Sequence, residues 1–245
     1  MKAVEAVKLT KKYKTKTAVD GIDFHVEKGE LFALLGVNGA GKTTTIRMLT
    51  CLSKPTSGSA EVCGHNTLTE SEAVKRIIGI SPQDTAIAEN LTIKENLQLV
   101  CKIYGFSKDK TTAKINEMTD IFGLSDVLND RAKTLSGGWK RKLSIAMALI
   151  SEPEVLFLDE PTLGLDVLAR RELWRAIEAL KGKITIILTT HYMEEAESLS
   201  DRIAIMLGGR IAAMGTLSEI EQIAGEEGLE ASFVKIADMV GKGEL

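Results

Sequence analysis

A glycine-rich segment constrains the fold of this chain more than any other feature. Residues 36–43 read GVNGAGKT and fit the spacing G-x-x-x-x-G-K-[ST]. An uninterrupted apolar run, residues 31–35, precedes the segment, and helix-forming residues 43–52 follow it. Because a run without polar positions is typical of a strand buried on both faces, the order is strand, loop and helix. This context favours a phosphate-binding loop over a chance glycine turn, since backbone N–H groups and a helix N-terminus can together hold a phosphate chain.

Composition limits the class of protein. The 245 residues predict one large domain or one domain with two lobes, and the 44% hydrophobic and 27% charged residues exclude intrinsic disorder. The formal net charge is −3, so we expect no nucleic-acid partner. There is no apolar window of about 18 residues and no signal-peptide pattern in residues 1–7, so we expect a cytoplasmic chain. The three cysteines are scattered, which indicates reduced thiols rather than disulfides or a zinc site.

Periodicity predicts the order of the elements. Residues 1–35 are typical of antiparallel strands, and we interpret the lysine-rich run 11–16 as a solvated strand edge. Residues 93–150 have helical spacing and read as an insertion. Strand, helix and strand over residues 155–188 indicate a parallel sheet, and residues 203–214 indicate a hairpin. The acidic segment from residue 217 onward is helical in character, with a solvated face.

Two adjacent carboxylates end an apolar strand at residues 155–160. Successive residues leave a strand in different directions, so Asp159 can reach a Mg2+ ion while Glu160 faces a water in line with the γ-phosphate. Lys42 would bridge the β- and γ-phosphates, and the Thr43 hydroxyl would bind Mg2+. An acidic pair of this kind is common at strand ends, but the phosphate loop upstream favours a catalytic role for this one.

A second candidate anion site lies at residues 135–139, which read LSGGW and lead into the helical stretch 140–150. A serine hydroxyl, bare glycine N–H groups and a helix N-terminus can bind an anion. By itself the sequence Ser-Gly-Gly is also typical of an ordinary helix start. One nucleotide does not need two such sites on one face.

The phosphate loop, the LSGG segment, the Asp-Glu strand and a downstream histidine, in this order, resemble the nucleotide-binding subunit of an ATP-binding cassette (ABC) transporter. The resemblance covers about residues 2–223. It implies an α/β P-loop ABC ATPase with a mixed RecA-like core, an N-terminal antiparallel β subdomain and an inserted α-helical lobe. We expect one ABC ATPase domain over residues 1–225, with the core at 1–83 and 151–225, the helical lobe at about 84–150, and an acidic helical tail at 226–245.

The resemblance also assigns roles to single residues. Tyr13 matches the aromatic residue that stacks on adenine, although packing on the sheet is an alternative. Gln83 matches the glutamine that touches Mg2+ and the attacking water, the alternative being a polar loop residue. Asp166 matches the aspartate that crosses the dimer interface, and His191, at the end of a predicted strand, matches the histidine at the γ-phosphate.

The complete predicted site has three parts. The catalytic residues are Glu160, His191, Gln83 and Lys42. The nucleotide-binding residues are Tyr13, Asn38, Gly39, Ala40, Gly41, Lys42, Thr43, Thr44, Ser136, Gly137, Gly138 and Asp166. The metal ligands are Thr43, Gln83 and Asp159.

One position departs from the family pattern. Trp139 stands where the family usually has glutamine, and an indole donates one hydrogen bond and accepts none. Ser136, Gly137 and Gly138 are present, so we expect activity to survive. The sequence leaves two alternatives for Trp139, which either contacts the partner's nucleotide or packs beside that nucleotide.

The resemblance implies ATP hydrolysis by in-line attack of water, with Mg2+ as cofactor. Two cassettes, identical or different, would pack head to tail, so that the signature of one closes on the nucleotide of the other. A separate transmembrane permease would hold the chain at the inner face of the cell membrane. Residues 160–166 and 190–196 resemble the exporter branch that includes drug, sodium, polysaccharide and lantibiotic efflux ATPases. The alternatives are a stand-alone soluble cassette, such as one in iron–sulfur cluster assembly, and a non-hydrolysing switch, against which Glu160 and His191 argue.

Overall fold

The computed structural model describes residues 1–244 as two β-sheets, a helical lobe and C-terminal helices. The strands are β1 (Lys2–Tyr13), β2 (Lys16–Glu27), β3 (Leu31–Leu35), β4 (Ser57–Val62), β5 (His65–Asn66), β6 (Ile78–Ser81), β7 (Val155–Asp159), β8 (Thr185–Thr190), β9 (Arg202–Leu207) and β10 (Arg210–Gly215). The helices are α1 (Lys42–Leu49), α2 (Ser71–Ile77), α3 (Ile93–Ile103), α4 (Lys108–Phe122), α5 (Gly137–Leu149), α6 (Val167–Glu178), α7 (Met193–Leu199), α8 (Leu217–Ala224) and α9 (Leu229–Lys242).

The first sheet is antiparallel and has the strand order β2-β1-β4-β5. The expected antiparallel strands are therefore present, but the lysine-rich run is not a free sheet edge. It is the tip of the β1–β2 hairpin, where Tyr13 pairs with Lys16. On its other side the Lys12 N–H donates to Thr56 Oγ1 at 3.0 Å, and Lys11 Nζ donates to the Lys54 carbonyl oxygen at 2.6 Å. The run is solvated, as expected, since residues 12–16 are exposed, but its β1 part is not a sheet edge because residues 54–56 cover it.

The second sheet has the order β10-β9-β3-β8-β7-β6, and all neighbours are parallel except β9 and β10. The predicted strand–helix–strand unit and the C-terminal hairpin are confirmed. Leu35 is in register with Thr190, and Asp159 with Thr189. Parallel register brings the carboxyl ends of β3, β7 and β8 to one edge of the sheet. The chain places its phosphate loop, acidic pair and histidine at this edge.

The second sheet divides the core into two apolar layers, as the alternation of side chains along a strand requires. Along β3, Leu31, Ala33 and Leu35 pack toward the helices, whereas Phe32 and Leu34 pack toward the antiparallel sheet. All five side chains are fully buried. This explains why the run has no polar position.

The helical lobe consists of α3, α4 and α5, with two short 3-10 turns between α4 and α5. Helix α3 begins with a capping box, in which the Thr92 hydroxyl accepts from the Glu95 N–H and the Glu95 carboxylate accepts from the Thr92 N–H. Helix α4 ends at Gly123, whose φ of 63° suits a residue without a Cβ. The helical insertion predicted from periodicity is present over the range where it was expected.

The C-terminal helices pack on the helical side of the core. Helix α9 buries Leu229, Phe233 and Ile236 in the same apolar layer as β3. Glu226, Glu227 and Glu230 are exposed, as the predicted solvated face requires. Among residues 1–244, no helix combines the length and the apolar character needed to cross a membrane.

Candidate active site

A cavity of about 500 Å³ opens where the carboxyl ends of the parallel strands meet. Its lining comes from the β1–β2 hairpin, the phosphate loop with the start of α1, the segment after β6, and the segments after β7 and β8. The lining residues are Tyr13, Lys16, Ala18, Asn38, Gly39, Ala40, Gly41, Lys42, Thr43, Thr44, Gln83, Glu160, Leu163 and His191. The fold thus brings together the predicted phosphate-loop residues, Tyr13, Gln83, Glu160 and His191.

Two glycines set the path of the phosphate loop. A Cβ at Gly36 would lie 2.4 Å from the Met206 carbonyl oxygen, and one at Gly41 would lie 2.5 Å from the Ala18 carbonyl oxygen. Gly41 also has a φ of 110°, which L side chains rarely adopt. Glycine at these positions lets the loop lie close to β9 and β2. The N-terminus of α1 then faces the cavity, where its partial positive charge favours an anion.

Lys42 extends into the floor of the cavity and is only 5% exposed. Its Nζ donates to the carbonyl oxygens of Gly36 at 2.7 Å and Val37 at 3.3 Å, and it lies 3.1 Å from Glu160 Oε1. A buried ammonium group needs such partners because burial removes its hydrating water. The result is a fixed positive charge at the base of the loop.

The Glu160 carboxylate joins this lysine to the histidine at the neighbouring strand end. His191 Nδ1 lies 2.7 Å from Glu160 Oε2, and Glu160 is 5% exposed. Glu160 has a φ of 50°, which is uncommon for a residue with a side chain. Its N–H donates to the Thr189 carbonyl oxygen at 3.1 Å and to Thr189 Oγ1 at 3.0 Å, and these bonds hold the turn. The carboxylate is therefore fixed between two cationic or protonatable groups.

A cluster of oxygen atoms lies beside this group. Asp159 Oδ1 accepts from Thr43 Oγ1 at 3.1 Å and from Thr189 Oγ1 at 2.6 Å. Asp159 does not line the cavity but lies directly behind Thr43. A carboxylate and a hydroxyl oxygen are hard ligands of the kind that Mg2+ prefers, so the residues fit this ion.

Tyr13 and Gln83 lie on the cavity rim. The Tyr13 ring is 45% exposed, with Lys11 Nζ 5.0 Å from its centroid. The backbone of Gln83 is fixed by Arg141 of α5, which is 4% exposed. Arg141 Nη1 donates to the Pro82 carbonyl oxygen at 2.6 Å and Nη2 to the Gln83 carbonyl oxygen at 2.7 Å. Burial lowers the pKa of this guanidinium, and the nearby Asp159 carboxylate opposes the shift.

The remaining predicted residues lie outside the cavity. Ser136 and Gly137 are exposed at the start of α5, and the exposed Asp166 caps α6 by accepting from the Leu168 and Ala169 N–H groups at 3.0 Å. A Cβ at Gly138 would lie 3.1 Å from Ala169 Cβ, so the two helix starts are close together. They form a second surface, which we call the signature surface and define as residues 135–139 and 163–168.

Trp139 packs within its own chain. The ring is partly buried against the helical side of the core, and Lys142 Nζ lies 4.4 Å from its centroid. Lys142 in turn pairs with Glu172 of α6 at 2.9 Å. The indole therefore takes part in the contact between α5 and α6 of its own chain.

Several contributors were not identified from the sequence. Lys16, Ala18 and Leu163 line the cavity, Thr189 supports both acidic residues, and Arg141 holds the Gln83 segment. Their positions depend on strand pairing and packing rather than on a motif. The three cysteines are free, as expected, and burial raises the pKa of the Cys63 thiol to about 11.

A buried lysine in a phosphate loop, a magnesium-type oxygen pair and a fixed carboxylate beside a histidine define a P-loop ATPase site. The ABC transporter family model matches residues 19–163, and the chain belongs to this family. The membership of the ABC family, the ATPase activity and the role as an ATP-hydrolysing transporter subunit, all expected from the sequence, are confirmed.

Two relatives illustrate the relationship. The chain is 42% identical over 225 residues to the daunorubicin/doxorubicin resistance ATP-binding protein DrrA of Streptomyces peucetius, covering 91% of this chain and 68% of the relative. It is 41% identical over 230 residues to the Nod factor export ATP-binding protein I of Paraburkholderia xenovorans, covering 93% of this chain and 75% of the relative.

Solved structures confirm the fold class. An ATP-binding subunit of an ABC transporter has a TM-score of 0.86 at 32% identity, covering 96% of this chain and 99% of the other. The ATP-binding cassette MJ0796, a dimer in a post-hydrolysis state bound to ADP and Pi, has a TM-score of 0.79 at 25% identity, covering 87% and 98%.

Proposed function

We propose that this chain hydrolyses Mg-ATP to power export through a separate transmembrane permease, to which it binds at the inner face of the cell membrane. The observation that carries the chemistry is the buried cluster of Lys42, Glu160 and His191 beside the Thr43–Asp159 pair. The names of the relatives, which include drug resistance and Nod factor export, support the direction of transport.

The catalytic step is in-line attack of water on the γ-phosphate. The phosphate chain of ATP would lie along residues 38–44, with adenine against Tyr13. Lys42 and His191 would stabilise the charge that develops on the γ-phosphate, and Glu160 would orient and polarise the attacking water. Thr43, Asp159 and Gln83 would hold Mg2+, which neutralises phosphate charge when bound. Catalysis of this kind depends on positioning and electrostatics.

Lys42 connects nucleotide binding to the state of Glu160. In this structure the ammonium group pairs with Glu160 Oε1 at 3.1 Å. A γ-phosphate would compete with this carboxylate for Lys42, because phosphate oxygens carry more negative charge than one carboxylate. Glu160 would then turn toward water, with His191 still at its other oxygen. The site thus becomes competent only when ATP is present.

The active site is completed by a second copy of this chain. Ser136 and Gly137 are exposed and lie outside their own cavity, as does Asp166. Val167 and Leu168 of the signature surface are 63% and 74% exposed, an apolar pair that a partner would cover. Packing two chains head to tail would bring each signature surface to the other cavity. The dimeric structure of the similar cassette MJ0796 supports dimerisation.

A candidate permease contact lies on the helical lobe. A cavity of about 280 Å³ between β6, α3 and α5 is lined by Pro82, Val100 and Tyr104, among others. Ile103 and Tyr104 at the end of α3 are 72% and 45% exposed. This groove begins one residue before Gln83, so its occupant could sense the nucleotide site through the same segment. We assign it to a helix of the permease, whereas a stand-alone ATPase would not need it.

Purification from membranes tests the proposal. Tagged Glu160→Gln chain, purified from gently solubilised native membranes with Mg-ATP, should bring down a polytopic membrane protein. Adding Ile103→Glu should remove that protein from the eluate, whereas adding Leu68→Glu, an exposed apolar position in the β subdomain, should not. A soluble scaffold in the eluate, or a membrane protein retained equally by all variants, would contradict the proposal.

A further inference from the structure

A fully buried carboxyl group lies next to the active site without being part of it. Glu195 of α7 is 0% exposed and stands four residues after His191. The Trp174 indole Nε1–H of α6 donates to Glu195 Oε1 at 3.0 Å. Asp166 caps the start of helix α6, and helix α7 begins two residues after His191, so this bond joins the helices that follow two predicted functional residues.

The second oxygen of Glu195 faces a polar group that is also unpaired. Within residues 1–244, neither Glu195 Oε2 nor Thr162 Oγ1 has a hydrogen-bond partner, although both are buried and the threonine lies beside the carboxyl. Thr162 is 0% exposed and lies in the loop between Glu160 and Asp166. Buried polar atoms without partners are costly, so the juxtaposition of two such atoms indicates a bond between them.

A proton on Glu195 Oε2 satisfies both atoms at once. Trp174 can only donate, so Oε1 is an acceptor, whereas the Thr162 hydroxyl can accept from a protonated Oε2 or donate to an ionised one. The complete burial of Glu195 favours the neutral acid, in which Oε2 donates to the Thr162 hydroxyl oxygen. The charges facing Glu195 are Glu160 at the end of β7, which disfavours a second negative charge, and Arg141 of α5, whose guanidinium is committed to the carbonyl oxygens of Pro82 and Gln83. Burial raises the pKa of Glu195, and the Thr190, Thr162 and Trp174 side chains oppose the rise.

We propose that Glu195 is a positioning residue, a neutral carboxylic acid that bridges Trp174 of α6 to Thr162 in the loop between Glu160 and Asp166. This bridge fixes α7, and with it His191, to the loop that begins at Glu160, the carboxylate that polarises the attacking water in the proposed function. The proposal goes beyond ATP hydrolysis as such, because it assigns a residue that neither lines the cavity nor belongs to a nucleotide-binding motif.

The first experiment detects the release of the Glu195 proton on unfolding and requires no ATP. The unfolding equilibrium constants of the wild type and Glu195→Gln are compared by urea denaturation from pH 5.5 to 7.5. The folded wild type keeps a proton that the unfolded chain releases above its ordinary pKa of 4.5. The ratio of wild-type to variant constants should therefore rise about tenfold per pH unit until the folded pKa is reached. Glu197→Gln, an exposed position on the same helix, should give a constant ratio. A constant ratio for Glu195→Gln would overturn the proposal.

The second experiment separates the neutral bridge from a need for charge. Glu195→Gln keeps an acceptor for Trp174 and a donor for Thr162, so its kcat should stay within about threefold of the wild type, whereas Glu195→Ala should lose about tenfold or more through misplacement of His191. Thr162→Val should match the alanine variant, and Thr162→Ser should restore activity. Should Glu195→Ala fail to fold, Trp174→Phe provides the disruptive variant. Equal losses in Glu195→Gln and Glu195→Ala would show that an ionised carboxylate is required, against the proposal.

Discussion

Replacing Arg141 by methionine tests how the helical lobe is tied to the nucleotide site. The side chain is 4% exposed and donates to two carbonyl oxygens, at 2.6 and 2.7 Å, on the segment that carries Gln83. Methionine keeps an apolar stem but leaves both oxygens unpaired. Each unpaired group costs about 1–3 kcal/mol, and partial exposure of the segment lets water compensate in part. We expect the free energy of unfolding to fall by about 2–3 kcal/mol.

Urea denaturation at pH 7.5 measures this change, and the same helix offers a matched control. Lys140 neighbours Arg141 but forms an exposed ion pair with Glu89 at 3.2 Å. Surface pairs contribute about 0–1 kcal/mol, so Lys140→Met should change the free energy of unfolding by less than about 1 kcal/mol. Arg141→Lys should fall between the two, because an ammonium group cannot reproduce the fork of the guanidinium. Equal effects of Arg141→Met and Lys140→Met would refute the reasoning.

Three further predictions concern the site, the packing and a thiol. Lys42→Ala should abolish ATPase activity, measured as phosphate release, because the buried charge at the phosphate loop is lost. Lys75→Ala, on the surface of α2, should retain ATPase activity. Turnover in Lys42→Ala would contradict the site assignment. Gly79→Ala should destabilise the fold by about 1–3 kcal/mol in urea, since its Cβ would lie 2.4 Å from the Ala148 carbonyl oxygen, whereas Gly241→Ala in α9 should stabilise it by up to about 1 kcal/mol. Alkylation of Cys63 should be slow at pH 8, and its rate should rise about tenfold per pH unit toward pH 11. The reason is that only the thiolate reacts and that burial raises the pKa of this thiol to about 11. A rate independent of pH would contradict the assigned burial.

The parts of this molecule that are encoded locally could be predicted from the sequence. The phosphate loop is contiguous, its preceding strand has no polar residue, and the acidic pair and His191 each follow an apolar strand. Parallel pairing then brings these strand ends together, because the carboxyl ends of parallel strands share one edge. The helical lobe was predictable for a similar reason, since its periodicity is visible along the chain.

The parts that depend on distant packing could not be predicted. Arg141 and Lys16 act through contacts with residues remote in sequence, and no motif marks them. Strands β4, β5 and β6 are short, β4 is half exposed and β5 has only two residues, so none of them has a clear periodic pattern. The solvation of the lysine-rich run follows from its sequence, whereas the cover of its β1 part by residues 54–56 is a tertiary feature that no local pattern indicates.

In the proposed function, a second copy of this chain completes the nucleotide site. Light scattering of the Glu160→Gln variant tests it directly, because this change removes the carboxylate needed for chemistry but leaves the phosphate loop intact. With Mg-ATP we expect twice the mass of one chain, and with Mg-ADP the mass of one chain. Adding Ser136→Arg, an exposed position outside the variant's own cavity, should return the Mg-ATP sample to the mass of one chain. A single-chain mass in Mg-ATP, or a dimer that Ser136→Arg does not weaken, would contradict the account.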